Sequence, residues 1–132
     1  MMNDMSTNSD TVNPLKEKSF SFAIQIVGIY KQLAQKQEFV LSKQLLRSGT
    51  SIGANISEAQ RAQSTPDFTA KMYIALKEAQ ETVYWLMLLR ETGYIDSSSA
   101  SKTINDCEEL IRMLTATTKT IAERKFDKQQ PA

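Results

Sequence analysis

Apolar residues recur at three- and four-residue intervals over four long stretches of this chain, a spacing that predicts four helices. In the first stretch Phe22, Ile26, Ile29 and Leu33 form one stripe, with Phe20, Ile24, Val27 and Tyr30 in a second beside it. That face is broader than a single core-facing seam requires, so this helix is expected to be covered on two sides. The second stretch carries Leu41, Leu45, Ile52, Ile56 and Ala59, which at about 100° per residue gather into one narrow arc. In the third the seam is Phe68, Met72, Ala75, Leu76, Ala79, Val83, Leu86 and Leu89. Tyr73, Tyr84, Trp85 and Leu88 lie off it, as if toward another subunit. Ile104, Cys107, Ile111, Leu114, Thr118 and Ile121 continue the seam in the fourth.

Local signals place the ends. Asn13 as N-cap with Pro14 at the first helical position starts helix one, which runs to about Gln35. Helix two is expected from about Glu38 to Gln63. Ser64-Thr65-Pro66-Asp67 then combines a hydroxyl cap, a proline at the first position and a carboxylate in the first turn. Gly93 closes helix three, and Asp96 caps helix four, which extends to about Arg124. Connections this short make consecutive helices antiparallel, so the predicted fold is an all-α, antiparallel up-down-up-down four-helix bundle over residues 14–124. A disordered polar tail, 1–13, and a polar C-terminal tail, 125–132, flank it. Gly49 and Gly53 fall inside helix two with Ser57 a turn further on. Glycine there costs roughly 1 kcal/mol against alanine. Close approach of a neighbouring helix would offset this, and the alternative is a kink or break near Gly49.

Composition narrows the chemistry. At 132 residues the chain has the size of one domain, and four glycines and three prolines are too few for the many turns of an all-β fold. The single cysteine, Cys107, cannot form an intramolecular disulfide, as expected in a reducing cytosol, and its seam position predicts a buried, inert thiol. Residues 1–13 lack the basic start and apolar core of a signal peptide, and no apolar run approaches the roughly 20 residues of a membrane span. A cytoplasmic protein with no membrane contact is expected. Histidine is absent, which removes the commonest general base and transition-metal ligand. Glu78 and Glu81 have the spacing of two carboxylates on one face, but nothing completes a di-metal set. With no phosphate loop, Ser/His/Asp set or cysteine cluster, the expectation is a non-enzyme with no catalytic residue, metal or cofactor.

The stretch from Gln44 to Ala59, QLLRSGTSIGANISEA, resembles the signature of the bacterial four-helix bundle proteins named for 23S rRNA intervening sequences. The family pattern is Q-L-R-R-A-A-x-S-I-x-x-N-I-A-E-G, which Gln44, Leu45, Arg47, Ser51, Ile52, Asn55, Ile56 and Glu58 match. Tyr73–Ala79 and Glu91–Ile95 are similar to weaker family segments. Leu46 replaces the first arginine of the pair, Gly53 the usual proline and Ala59 the final glycine. A related group, the accessory variability proteins of diversity-generating retroelements, forms homopentamers that bind nucleic acid. The resemblance therefore implies a homo-oligomer, a homopentamer foremost, associated with RNA or DNA.

Arg47, Ser51, Asn55 and Glu58 follow one another at spacings of four, four and three, a polar stripe opposite the apolar arc. One reading makes Ser51, Asn55 and Glu58 a solvated or inter-subunit hydrogen-bonding edge. The other makes Arg47, with Lys43 and Arg61, a phosphate- or partner-contacting surface. Arg112, Lys119, Arg124, Lys125 and Lys128 form a loose basic run diluted by Asp106, Glu108, Glu109 and Glu123. Tyr84 and Trp85 could stack on bases, although aromatics at helical spacing more often belong to core or interface. With a net charge of only +1 there is no global pull toward nucleic acid, so the alternative function is a protein–protein interaction module that makes no direct nucleic-acid contact.

Overall fold

A computed structural model of the protein describes the backbone of residues 6–129 and the side chains of residues 14–124. Four helices fill that span: α1 (Ser6–Gln35), α2 (Leu41–Gln60), α3 (Thr65–Glu91) and α4 (Ser97–Gln129). Each packs on two neighbours in a closed square, α1 on α2, α2 on α3, α3 on α4 and α4 back on α1. The cross-links Lys18–Glu109 and Gln25–Thr103 advance along α1 while retreating along α4, as antiparallel helices require. The architecture is thus the up-down-up-down bundle that the periodicity predicts.

The core is built from the predicted seams, joined on α4 by Leu110, which lies outside the predicted one. Phe22, Ile26 and Leu33 of α1 meet Leu45, Ile52 and Ile56 of α2, Met72, Leu86 and Leu89 of α3, and Cys107, Leu110 and Leu114 of α4, all buried. The second stripe of α1 divides differently: Val27 and Tyr30 are half-buried, whereas Phe20 and Ile24 stay 67% and 60% exposed. Within one subunit, that side of α1 is uncovered.

Gly49 and Gly53 do mark a close approach, and α2 runs through both without interruption. A Cβ on Gly49 would stand 2.8 Å from Ile26 Cγ1, and one on Gly53 would stand 3.2 Å from Ser19 Oγ. Small residues here let α1 lie close against α2, which is what offsets their poor helix propensity.

Four helix ends depart from the predicted boundaries. Helix α1 reaches back to Ser6, so Pro14 lies within it and Asn13 is no cap. A proline has a helical φ but loses its own N–H bond and crowds the carbonyl four residues before it, so α1 continues through Pro14 at a local cost. Residues 6–13 of the expected tail are therefore helical in backbone, while 1–5 lie outside the described residues. At the other terminus α4 continues to Gln129, past the expected stop at Arg124. Helix α2 is shorter than expected at both ends, because Glu38 precedes it as a cap and Arg61 follows it as the C-cap.

The two helices that end on the same side of the bundle finish with one motif. After α3, Gly93 has φ +82° and Tyr94 N–H returns to the Leu89 carbonyl at 3.0 Å. After α1, Gln37 takes φ +64° and Glu38 N–H returns to the Leu33 carbonyl at 2.9 Å. This left-handed position favours glycine, and Gln37 occupies it with a Cβ. Gln37→Gly is expected to raise stability by up to about 1 kcal/mol in urea unfolding, whereas Gly93→Ala should lower it by a similar amount.

Candidate functional surface

Three consecutive residues between α1 and α2 differ sharply in burial. Glu38 is 9% exposed, although the adjoining Phe39 and Val40 are 47% and 75% exposed. The carboxylate turns inward to cap α2: Oε2 accepts from the N–H of Val40 at 3.2 Å and of Leu41 at 3.0 Å, and Oε1 from that of Ser42 at 2.7 Å. Ser42 Oγ in turn donates to the Glu38 carbonyl at 2.7 Å. Burial alone would raise this carboxyl, but those N–H donors outweigh it and hold the group below its ordinary 4.5. Sequence periodicity assigns Glu38 to the helix itself. A glutamate three residues before an amide-rich first turn was the available signal for a cap.

Along the middle of α2 the polar stripe faces α3. The Arg47 guanidinium bonds Glu78 Oε1 at 3.1 Å and also Glu81 Oε2, and the indole N–H of Trp85 donates to the same Glu81 oxygen at 2.9 Å. Asn55 Nδ2 donates to the Ser51 carbonyl at 2.9 Å and to Ser51 Oγ at 3.1 Å, so this pair is satisfied within α2. Glu58 meets Lys71 of α3 at 3.0 Å, an ion pair that raises the Lys71 ammonium. The stripe is thus a half-exposed seam between two helices of one subunit, neither core nor a free edge. Glu78 and Glu81, the carboxylate pair with metal-site spacing, are held by Arg47.

The three basic candidates do not converge. Lys43 is exposed one turn before Arg47, and Arg61 is exposed at the far end of α2, fourteen residues beyond Arg47 or about 21 Å along the axis. Arg47 sits between two carboxylates, so its immediate surroundings carry a net negative charge and are poorly suited to receive phosphate. Arg112, Lys119 and Arg124 are exposed along α4; the side chains of Lys125 and Lys128 lie outside the described residues. Trp85 is half-buried and edge-on to Tyr84, with ring centroids 5.1 Å apart, while Tyr84 itself is 59% exposed.

Among the described residues, α1 and α3 each keep an apolar face open. On α1, Ile24 is exposed and Phe20 lines a groove of about 700 Å³ together with Ala23, the small residues Gly53, Ala54 and Ser57 of α2, and the polar Lys16, Glu17 and Thr50. On α3, Tyr73, Ile74, Tyr84 and Met87 form an exposed band. Helices α1 and α3 occupy opposite corners of the square, so the two faces lie on separate elements that do not pack on each other.

Cys107 is buried, and its thiol donates to the Ala79 carbonyl at 3.3 Å; burial, then the charges of Glu108 and Asp106, push it up to about 12. No helix among the described residues is long and apolar enough to cross a membrane.

Fold and surface together define a small antiparallel four-helix bundle protein. The chain belongs to the 23S rRNA-intervening sequence protein family, which it matches over residues 13–116. It is similar to a crystal structure from Bacteroides thetaiotaomicron, a protein with unknown function from the S23 ribosomal protein family. The two are 52% identical with a TM-score of 0.81, over 83% of this chain and 98% of that one. Among curated proteins, nothing matches the sequence.

Proposed function

We propose that the protein is a non-enzymatic scaffold that assembles with copies of itself and associates with RNA. The observation that carries the first half is the pair of unlike apolar faces on α1 and α3. A contact that joins one face to a different face on the next copy is heterologous, and it closes into a ring when the rotation per copy allows. A homopentamer is the assembly implied by family resemblance. Such a ring would repeat the exposed cations Lys43, Arg61, Arg112 and Lys119 around one axis, and that repetition supports RNA association by a chain whose own net charge is small.

The native mass tests assembly. Light scattering should give a multiple of the 14.9 kDa chain, fivefold for the pentamer. Phe20→Glu on α1 and Tyr84→Glu on α3 should each yield a monomer of unchanged helicity, because both side chains are exposed within the subunit. A wild-type monomer defeats the reading. Filter binding of structured RNA over a range of salt tests the second half: affinity should fall with salt and with Arg112→Glu/Lys119→Glu.

The alternative, a protein-interaction module without nucleic-acid contact, is favoured by one specific observation, the engagement of Arg47 by Glu78 and Glu81. Partners that survive nuclease treatment during affinity purification from the native cell would support it, and loss of all partners on digestion would oppose it.

A further inference from the structure

The connection between α1 and α2 inverts the usual order of burial. Its acid, Glu38, is turned inward, while its two adjoining apolar residues, Phe39 and Val40, are held in solvent. Three features hold it in that form. Gln37 occupies the left-handed region at φ +64°, the Glu38 carboxylate receives three backbone N–H groups, and Lys36 Nζ donates to the Tyr94 carbonyl at 2.9 Å, tying this connection to the one between α3 and α4. Tyr94 adds a third apolar side chain, 38% exposed, from that second connection. A rigid loop that presents apolar side chains loses little freedom when they are buried by a partner. Strained backbone and misplaced polarity held by surrounding structure are common marks of a working surface.

Charge at this end of the bundle is also arranged. Its carboxylates are already engaged: Glu38 on the first turn of α2, Asp96 with Ser98 and Ser99 at the start of α4, and Glu91 with Arg90. Lys36 and Lys43 flank the apolar pair and are exposed. Phe39 and Val40 therefore have an exposed lysine on either side in sequence, while Glu91 and Asp96 keep their negative charges near Tyr94.

We infer that the Phe39–Val40 tip, with Tyr94 beside it and Lys36 and Lys43 around it, is a docking surface for another protein that offers an apolar pocket rimmed by carboxylates. The chemistry of the patch favours protein over single-stranded nucleic acid. Val40, its most exposed member, has no π-face to stack on a base, and two lysines are a short track for a phosphate backbone. The surface is distinct from the α1 and α3 faces proposed for self-assembly, so the two readings fail separately.

Three fluorescent probes test it by anisotropy on the full chain: a short amphipathic peptide of Leu and Phe with Asp and Glu, its counterpart with Lys in place of the acids, and a single-stranded oligouridine. The acidic peptide should bind most tightly and weaken as salt is added. Phe39→Ser/Val40→Ser should weaken it about tenfold or more, and Lys43→Glu by several-fold, with circular dichroism and particle mass unchanged. The inference is overturned if the double variant binds the acidic peptide as the wild type does, or if the basic peptide binds equally well. It also fails if oligouridine is the tighter ligand and loses affinity in the double variant, or if that variant alters the particle mass, which would make the tip a contact between copies.

Discussion

Glu38→Ala should cost about 2 kcal/mol of stability, with a fall in Tm of about 5–10 °C, because one change removes the acceptor of three amide hydrogen bonds at the start of α2. The amides left behind sit in a nearly closed site, and water can replace the carboxylate only in part. Glu38→Gln separates charge from shape, since it keeps an acceptor oxygen and loses the anion, and it should recover part of the loss. The same carboxylate ties stability to pH. Its folded-state value lies below the ordinary 4.5, so the contribution is complete above that value and disappears as pH falls through the lower folded one. Asp96 acts in the same sense further down: hydrogen bonds from Ser99, then Ser98, hold it at about 2 against an ordinary 3.8. Acid titration of thermal stability should therefore show a shallower fall below about pH 4.5 in Glu38→Gln than in the wild type.

Gly49→Ala should also destabilise by about 2 kcal/mol, against the helix-propensity gain of roughly 1 kcal/mol that alanine ordinarily brings. The new methyl would lie 2.8 and 2.9 Å from the two γ-carbons of Ile26. Ile26 is fully buried and β-branched on a helix, with essentially one rotamer open to it, so it cannot swing aside and the two helices must part instead. The control lies on α1. At Gly28 a Cβ would meet nothing within 4 Å, so Gly28→Ala should stabilise by about 0.5–1 kcal/mol. Urea unfolding of the two variants should move in opposite directions from the wild type. If Gly49→Ala is as stable as the wild type, the close packing of α1 on α2 does not depend on that glycine.

These positions show where sequence is legible. The α2 arc and most of the seams of α3 and α4 follow directly from side-chain spacing, since each helix has one core-facing side and burial sorts residues by angle. The caps at Ser64 and Asp96 and the terminator at Gly93 are likewise local chemistry: Asp67 N–H donates to Ser64 Oγ at 3.2 Å, and Ser99 N–H to Asp96 at the same distance. What the pattern left open was tertiary. Angular position puts Arg47 on a polar stripe, but only the placement of α3 brings Glu78 and Glu81 to it and Lys71 to Glu58. Arg47, Lys43 and Arg61 share the polar side of one helix, yet distance along its axis separates them. Glu38 was misplaced because a glutamate is a good helix former, and its role depends on a chain reversal that begins at a non-glycine residue with positive φ. Pro14 misled in the opposite way: a residue that often begins helices stands inside one here.

The lone thiol gives the molecule its own unfolding clock. Cys107 is wholly enclosed and almost entirely protonated at neutral pH, so an alkylating reagent must wait for α4 to separate from α3 before it can react. With no other sulfhydryl in the chain, the rate of labelling on an unmodified protein follows the population of that open form whenever reclosing is faster than labelling. Any ligand or assembly that holds the helices together should slow the reaction by the same factor by which it lowers the population of the open form.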